Sequence, residues 1–147
     1  MYSVPVRSDS YQGIGELKGI LRFDGARLVL QYQTADPILA EFRTAPVELE
    51  IALPTLVQAR YRSGLFGLAP EIEIRVSDFR ELAALPVAEA GRLRLRVPRS
   101  ERGDARKIVE EVNQICAQLR LARLDASITR MTQQAPGAAE RSTGQGD

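Results

Sequence analysis

From Glu16 to Val97 the chain repeatedly alternates apolar and polar residues, and from Ala105 to Leu119 the apolar spacing lengthens to three and four. Alternation puts every second side chain on one face of a strand, whereas spacings of three and four line one stripe of a helix. Glu16–Phe23 places Leu17, Leu21 and Phe23 on one face, and Arg27–Gln33 does the same with Leu28, Leu30 and Tyr32. Asp24-Gly25 between them tolerates the positive φ of a tight turn, so the two segments predict a hairpin. Val47, Leu49, Ile51 and Leu53 alternate with Glu48 and Glu50, and further strands are expected at 56–61, 71–76 and 92–98. A weak strand or turn near Arg80–Ala84 completes the set, while residues 35–45 read equally as a long loop or an irregular strand. Residues 1–13 read as an N-terminal extension in which Val4 and Val6 could form a short extra strand.

The helix is expected from about Glu101 to Arg120, with Ser100 as its N-cap. Ala105, Ile108, Val109, Val112, Ile115, Cys116 and Leu119 form one stripe, which needs an apolar surface to cover. Leu121, Leu124, Ile128 and Met131 also recur at helical spacing, but on nearly the opposite side. Two outcomes stand open there. A continuing helix leaves these four as an exposed seam suited to another copy or another protein, and a turn near residues 121–125 tucks them onto the body. After Met131 the composition shifts to Thr, Gln, Ala, Pro, Gly and Ser, which reads as a disordered tail. The domain plan is therefore an extension at 1–13, a folded domain at 14–122, and a helix extension with tail at 123–147.

This order of elements resembles the pleckstrin-homology (PH) and GRAM superfold, in which seven antiparallel strands form a barrel or sandwich capped by a C-terminal helix. The resemblance rests on the hairpin Phe23-Asp-Gly-Ala-Arg27, the strand Val47–Leu53 and the turn around Ser63–Gly67. The strand Leu93–Val97, running through Ser100–Ala105 into the helix, completes it. The layout is most similar to small bacterial PH-like domains. Some relatives of this superfold bind an extended peptide along a strand beside the helix. The matching groove here lies between Glu71–Val76 and the helix, with Glu73 and Arg75 as outward contacts. Lipid-binding PH domains carry basic residues on the first strand and a basic-x-Arg pair early in the second. Here Lys18 and Arg22 lie on the first of the two hairpin strands and Arg27 opens the second, but Val29 stands at the second basic position. The resemblance therefore argues against specific phosphoinositide recognition.

A length of 147 residues fits one domain, and 44% hydrophobic residues suffice for one core. The net charge is +1, and of twenty basic residues all but Lys18 and Lys107 are arginine. No uncompensated positive cluster stands out, so no nucleic-acid partner is expected. The single cysteine, Cys116, excludes an internal disulfide and fits a reducing, cytoplasmic setting. The N-terminus has neither a basic start nor an apolar signal core, and no apolar run is long enough to span a bilayer. With no histidine, Ser-His-Asp and Cys-His arrangements are absent. Gly13-x-Gly15-x-x-x-Gly19 precedes a strand rather than joining strand to helix, so it makes no phosphate loop. The carboxylates Glu48, Glu50, Glu71 and Glu73 alternate with core positions and read as solvated strand faces.

No enzyme, metal or cofactor is expected. The sequence points to a non-catalytic PH-like module for protein binding or self-assembly, its partner an unidentified protein or another copy. The alternative is a peripheral module making weak contact with anionic phospholipid. Its candidate lipid-facing residues are Lys18, Arg22, Arg27, Leu65, Phe66, Arg92, Arg94 and Arg96. The arginine row is expected to pair with neighbouring glutamates, and the Leu65-Phe66 tip to fold back onto the body rather than form a wedge.

Overall fold

The computed structural model describes residues 1–9, 16–35, 45–83, 85 and 88–143. Among these residues the chain is mainly β, with seven antiparallel strands and one long C-terminal helix. The strands are β1 (Tyr2–Asp9), β2 (Glu16–Phe23), β3 (Leu28–Ala35), β4 (Val47–Ile51), β5 (Leu56–Arg62), β6 (Glu71–Val76) and β7 (Arg92–Arg96), followed by helix α1 (Arg102–Thr143). They pair in the order β4-β3-β2-β1-β7-β6-β5, and β4 and β5 end the sheet without joining each other. The sheet is open.

The β2–β3 hairpin forms where Asp24-Gly25 predicts it, with Phe23 opposite Leu28. Gly25 takes φ 98°, and the Asp24 carboxylate accepts hydrogen bonds from the amides of Ala26 and Arg27 at 2.9 and 2.8 Å. Alternation then carries Leu17, Leu21, Phe23, Leu28, Leu30 and Tyr32 inward. Ile72, Ile74, Leu93 and Leu95 join them from the other half of the sheet. Burying a side chain the size of Phe23 contributes roughly 1.5–3 kcal/mol.

Residues 2–9, assigned above to an N-terminal extension, instead form β1, the middle strand of the sheet. Val4 and Val6 marked a possible short strand here, and its central place comes from pairing with β2 and β7 despite Pro5, which removes a ladder donor. β1 is laddered to β2 along its whole length but bridges β7 at Arg7↔Arg96, so much of its second side carries no ladder and tolerates the proline. Of the weak strand or turn expected near Arg80–Ala84, the turn forms, as 3₁₀ helix at Phe79–Leu82. Asp78 caps it by accepting from the Arg80 amide, a local bond that competes with strand pairing. Gly13, Gly15 and most of the ambiguous 35–45 segment lie outside the described residues.

Ser100 does not cap the helix. It lies within a 3₁₀ turn at Arg99–Glu101 that begins at Pro98, whose φ of −59° already suits a helical start. The chain divides into two compact units, Met1–Cys116 and Ala117–Asp147. In the first, Ala105, Ile108, Val109, Val112 and Cys116 of α1 are buried. The Asn113 side chain fixes this segment to the edge strand β5. Its Oδ1 accepts from the Ala59 amide at 3.1 Å, and its Nδ2 donates to the Ala59 carbonyl at 2.8 Å. One amide group thus does for Ala59 what a neighbouring strand would do. The second unit is helical through Thr143, including residues past Met131 whose composition predicts a disordered tail. Low apolar content rules out a core but not a helix, and Arg, Met, Gln and Ala are good helix formers.

Replacing Asn113 with alanine leaves both Ala59 groups without their partner. The expected cost is about 1–3 kcal/mol in urea unfolding, and a change below about 0.5 kcal/mol contradicts this role. Asp24 gives a pH prediction. The Ala26 and Arg27 amides, with the Arg27 guanidinium, hold its pKa below the ordinary carboxylate value. A lowered pKa stabilises the fold above the ordinary carboxylate pKa, and that stability is lost as pH falls through the folded value. Asp24→Asn is therefore expected to lose less stability on acidification than the native chain, and an identical acid limb of the unfolding curve contradicts it.

Candidate functional site

The candidate residues fall on the helix of the second unit, on the outer face of the sheet and on the β5–β6 turn. The first of these is the helix. Leu121, Leu124, Ile128 and Met131 stand at spacings of three, four and three, and each is between 58% and 70% exposed. The helix continues through them without a turn.

The second is the outer face of β6 and β7. Glu73 and Arg75 do not lie at a free edge, because β6 is laddered to β5 on one side and β7 on the other. The free edges belong to β4 and β5. Glu73 is also not a solvated carboxylate: only 7% of it is exposed. Arg62, Arg92 and Arg94 close over it, with nitrogen-to-oxygen distances of 3.6, 3.7 and 3.6 Å. Arg94 also reaches Glu71 at 3.9 Å. Two of the three outward arginines of β7 are thus paired with glutamates, as cross-strand neighbours predict. Elsewhere, Arg22 reaches Glu48 at 3.5 Å and Arg27 reaches Asp24 at 4.0 Å. Arg75 points outward and is exposed. Four of the candidate lipid-facing cations (Arg22, Arg27, Arg92 and Arg94) therefore serve local ion pairs.

The remaining two, Lys18 and Arg96, come together at a cavity of about 780 Å³ on the outer face of β7, β1, β2 and β3. Arg7 stands between them, opposite Lys18 in one register and opposite Arg96 in the other. Pro5, Ile20 and Pro98 give this concavity an apolar lining. Gly19 lies along its floor, and a Cβ there would run into the Gln31 carbonyl oxygen of β3, so β2 and β3 could not keep this spacing with a larger residue. Sequence alone does not single out Arg7, because its neighbours are set by the register of β1 against β2 and β7.

The third surface is the β5–β6 turn. Phe66 does not fold back. It is 87% exposed beside Leu65 at 79%, and it takes the left-handed conformation at φ 54°, ψ 23°. A left-handed conformation at a bulky non-glycine residue is a strained arrangement. Gly64 and Gly67 flank it at positive φ, and a Cβ on Gly64 would clash with the Ala69 carbonyl. Leu68 adds a third exposed apolar side chain, which only the turn geometry reveals.

No helix among the described residues is long and apolar enough to cross a membrane. Cys116 is buried, and its Sγ lies 3.6 Å from the Leu53 carbonyl oxygen as a weak donor. No protein-family model matches the chain, and no curated protein or solved structure does either.

Removing the Glu73 carboxylate sets three arginines against one another. Glu73→Ala is expected to destabilise the fold by about 1–3 kcal/mol at low salt, the arginines' partial exposure keeping the figure modest. The deficit should shrink in about 0.5 M salt, where like-charge repulsion is screened. An equal deficit at both salt levels in denaturant unfolding contradicts the charge account.

Proposed function

We propose that this chain is a non-catalytic, cytoplasmic interaction module of PH-like architecture, which binds a protein partner or another copy of itself through the second unit's helix. The observation that carries the reading is the exposure of Leu121, Leu124, Ile128 and Met131 along one side of that helix. A run of large apolar side chains left in water is unfavourable for a soluble surface and characteristic of an interaction site. The PH-like assignment draws on the open strand order, the hairpin connections of the sheet and the helix that covers its core. Two features favour a non-catalytic role: the sequence holds no histidine, and the buried carboxylate of Glu73 is neutralised by arginines rather than presented to a cleft.

A second reading has its own support. The exposed Leu65-Phe66 tip and the cations Arg7, Lys18 and Arg96 at the cavity supply the two kinds of side chain that a peripheral contact with anionic phospholipid uses. Apolar side chains enter the interface, and cations are drawn to the surface charge.

The first reading is tested with the full-length chain immobilised as bait. Bound protein, including the chain itself, should fall by at least about tenfold with Leu124→Asp/Ile128→Asp, since both substitutions remove apolar contacts. Unchanged retention by a variant with native circular dichroism contradicts it. For the second reading, sedimentation with phosphatidylserine vesicles at low salt should show binding that drops at least about fivefold with Leu65→Ser/Phe66→Ser. No binding of the native chain to these vesicles sinks it.

A further inference from the structure

The four exposed apolar residues obey a narrower rule than helical amphipathicity. Their spacing of three, four and three is the a/d alternation of a heptad, with Leu121 and Ile128 at a and Leu124 and Met131 at d. The frame extends back to Ala117 at d, the residue at which the second compact unit begins. Positions b, c and f of the central turns hold Ala122, Arg123, Ala126, Thr129 and Arg130, a small and polar face.

From this register, resting on the partner-surface reading above, we infer that the occupant of the stripe is a second copy of this chain, forming a parallel, in-register, two-stranded coiled coil over about residues 117–132. Charge selects the orientation. In a parallel pair, each g position faces the e position five residues later on its partner. Here g is Arg120 and that e is Asp125, so each copy's arginine meets the other's aspartate, giving two pairs related by the symmetry axis. An antiparallel pair sets g against g and e against e, which brings the two Asp125 side chains toward one another. Ile128 at a with Leu124 at d is the combination that favours two strands. An isologous pairing of this kind needs no other molecule, and it presents two copies of the β body as one divalent particle.

Two heptads make a weak pair, so association is expected to depend on concentration. Light scattering and sedimentation of the full-length chain, of mass 16.2 kDa, should show a rise toward twice that mass between about 10 and 500 µM. Ile128→Asp should shift this transition at least about thirtyfold upward, because a buried charge replaces an a-position isoleucine. Orientation is read from disulfides formed with oxidised glutathione in a Cys116→Ala background. Leu124→Cys should cross-link to itself, since in-register d positions lie within disulfide reach, and Ala126→Cys at f should do so at least about tenfold more slowly.

A dimer in which Leu124→Cys joins Ile128→Cys but not itself overturns the parallel arrangement and leaves self-assembly standing. A monomer throughout, with another protein lost from the bait by Leu124→Asp/Ile128→Asp, overturns the second copy as occupant and leaves the partner surface standing. A monomer whose bait retains nothing overturns both.

Discussion

An open antiparallel sheet leaves an apolar face and two unpaired edges, and the fold depends on how one helix segment meets that demand. Residues 105–116 of α1 bury Ala105, Ile108, Val109, Val112 and Cys116, completing the core that the strands cannot close alone. The same segment supplies Asn113, whose amide pairs with both backbone groups of Ala59 on the edge strand β5. Hydrophobic burial is non-directional, and the two hydrogen bonds add a direction. They fix where the helix sits along the strand. An edge engaged by a side chain at Ala59 is also less available as a template for another strand.

The charges follow a second economy. Of the outward arginines, Arg62, Arg92 and Arg94 converge on Glu73, and Arg22 takes Glu48. Four arginines thus help to hold strands side by side. Glu73 on the outer side of β6 becomes a buried carboxylate although its sequence position marks it as a solvated one. The basic character that remains at a concave surface is narrower, centred on Arg7, Lys18 and Arg96 around Gly19.

What could be read from sequence was what depends on local periodicity. The Phe23-Asp24-Gly25 hairpin, the inward faces of β2, β3, β6 and β7, and the helix stripe through Ala105, Ile108, Val109, Val112 and Cys116 follow from spacing alone, whereas Ile115 and Leu119 of the same stripe are only half-buried. What could not be read depends on long-range pairing or on special backbone. Val4 and Val6 marked a possible strand, but its length, its central place and the neighbours of Arg7 follow from pairing with β2 and β7. Glu73 and Arg75, marked by the resemblance to peptide-binding relatives, lie on a strand paired on both sides. Phe66 was expected to fold back because apolar side chains do so when the backbone lets them. Flanking glycines and a left-handed backbone hold it out instead. The Leu121–Met131 stripe was legible as a pattern, and only the unbroken helix decided its exposure.

The central claim is that one helix carries two jobs in succession: residues up to Cys116 complete the fold, and residues from Ala117 onward present a surface for association. Amide hydrogen exchange of the full-length chain, measured at low and high protein concentration, separates them directly. The account predicts that residues 105–116 are protected to the level of global unfolding at both concentrations. Residues 117–131 should exchange fast when dilute and slow by at least about tenfold when concentrated. Exchange that is independent of concentration along the whole helix, or that changes equally in both parts, contradicts it.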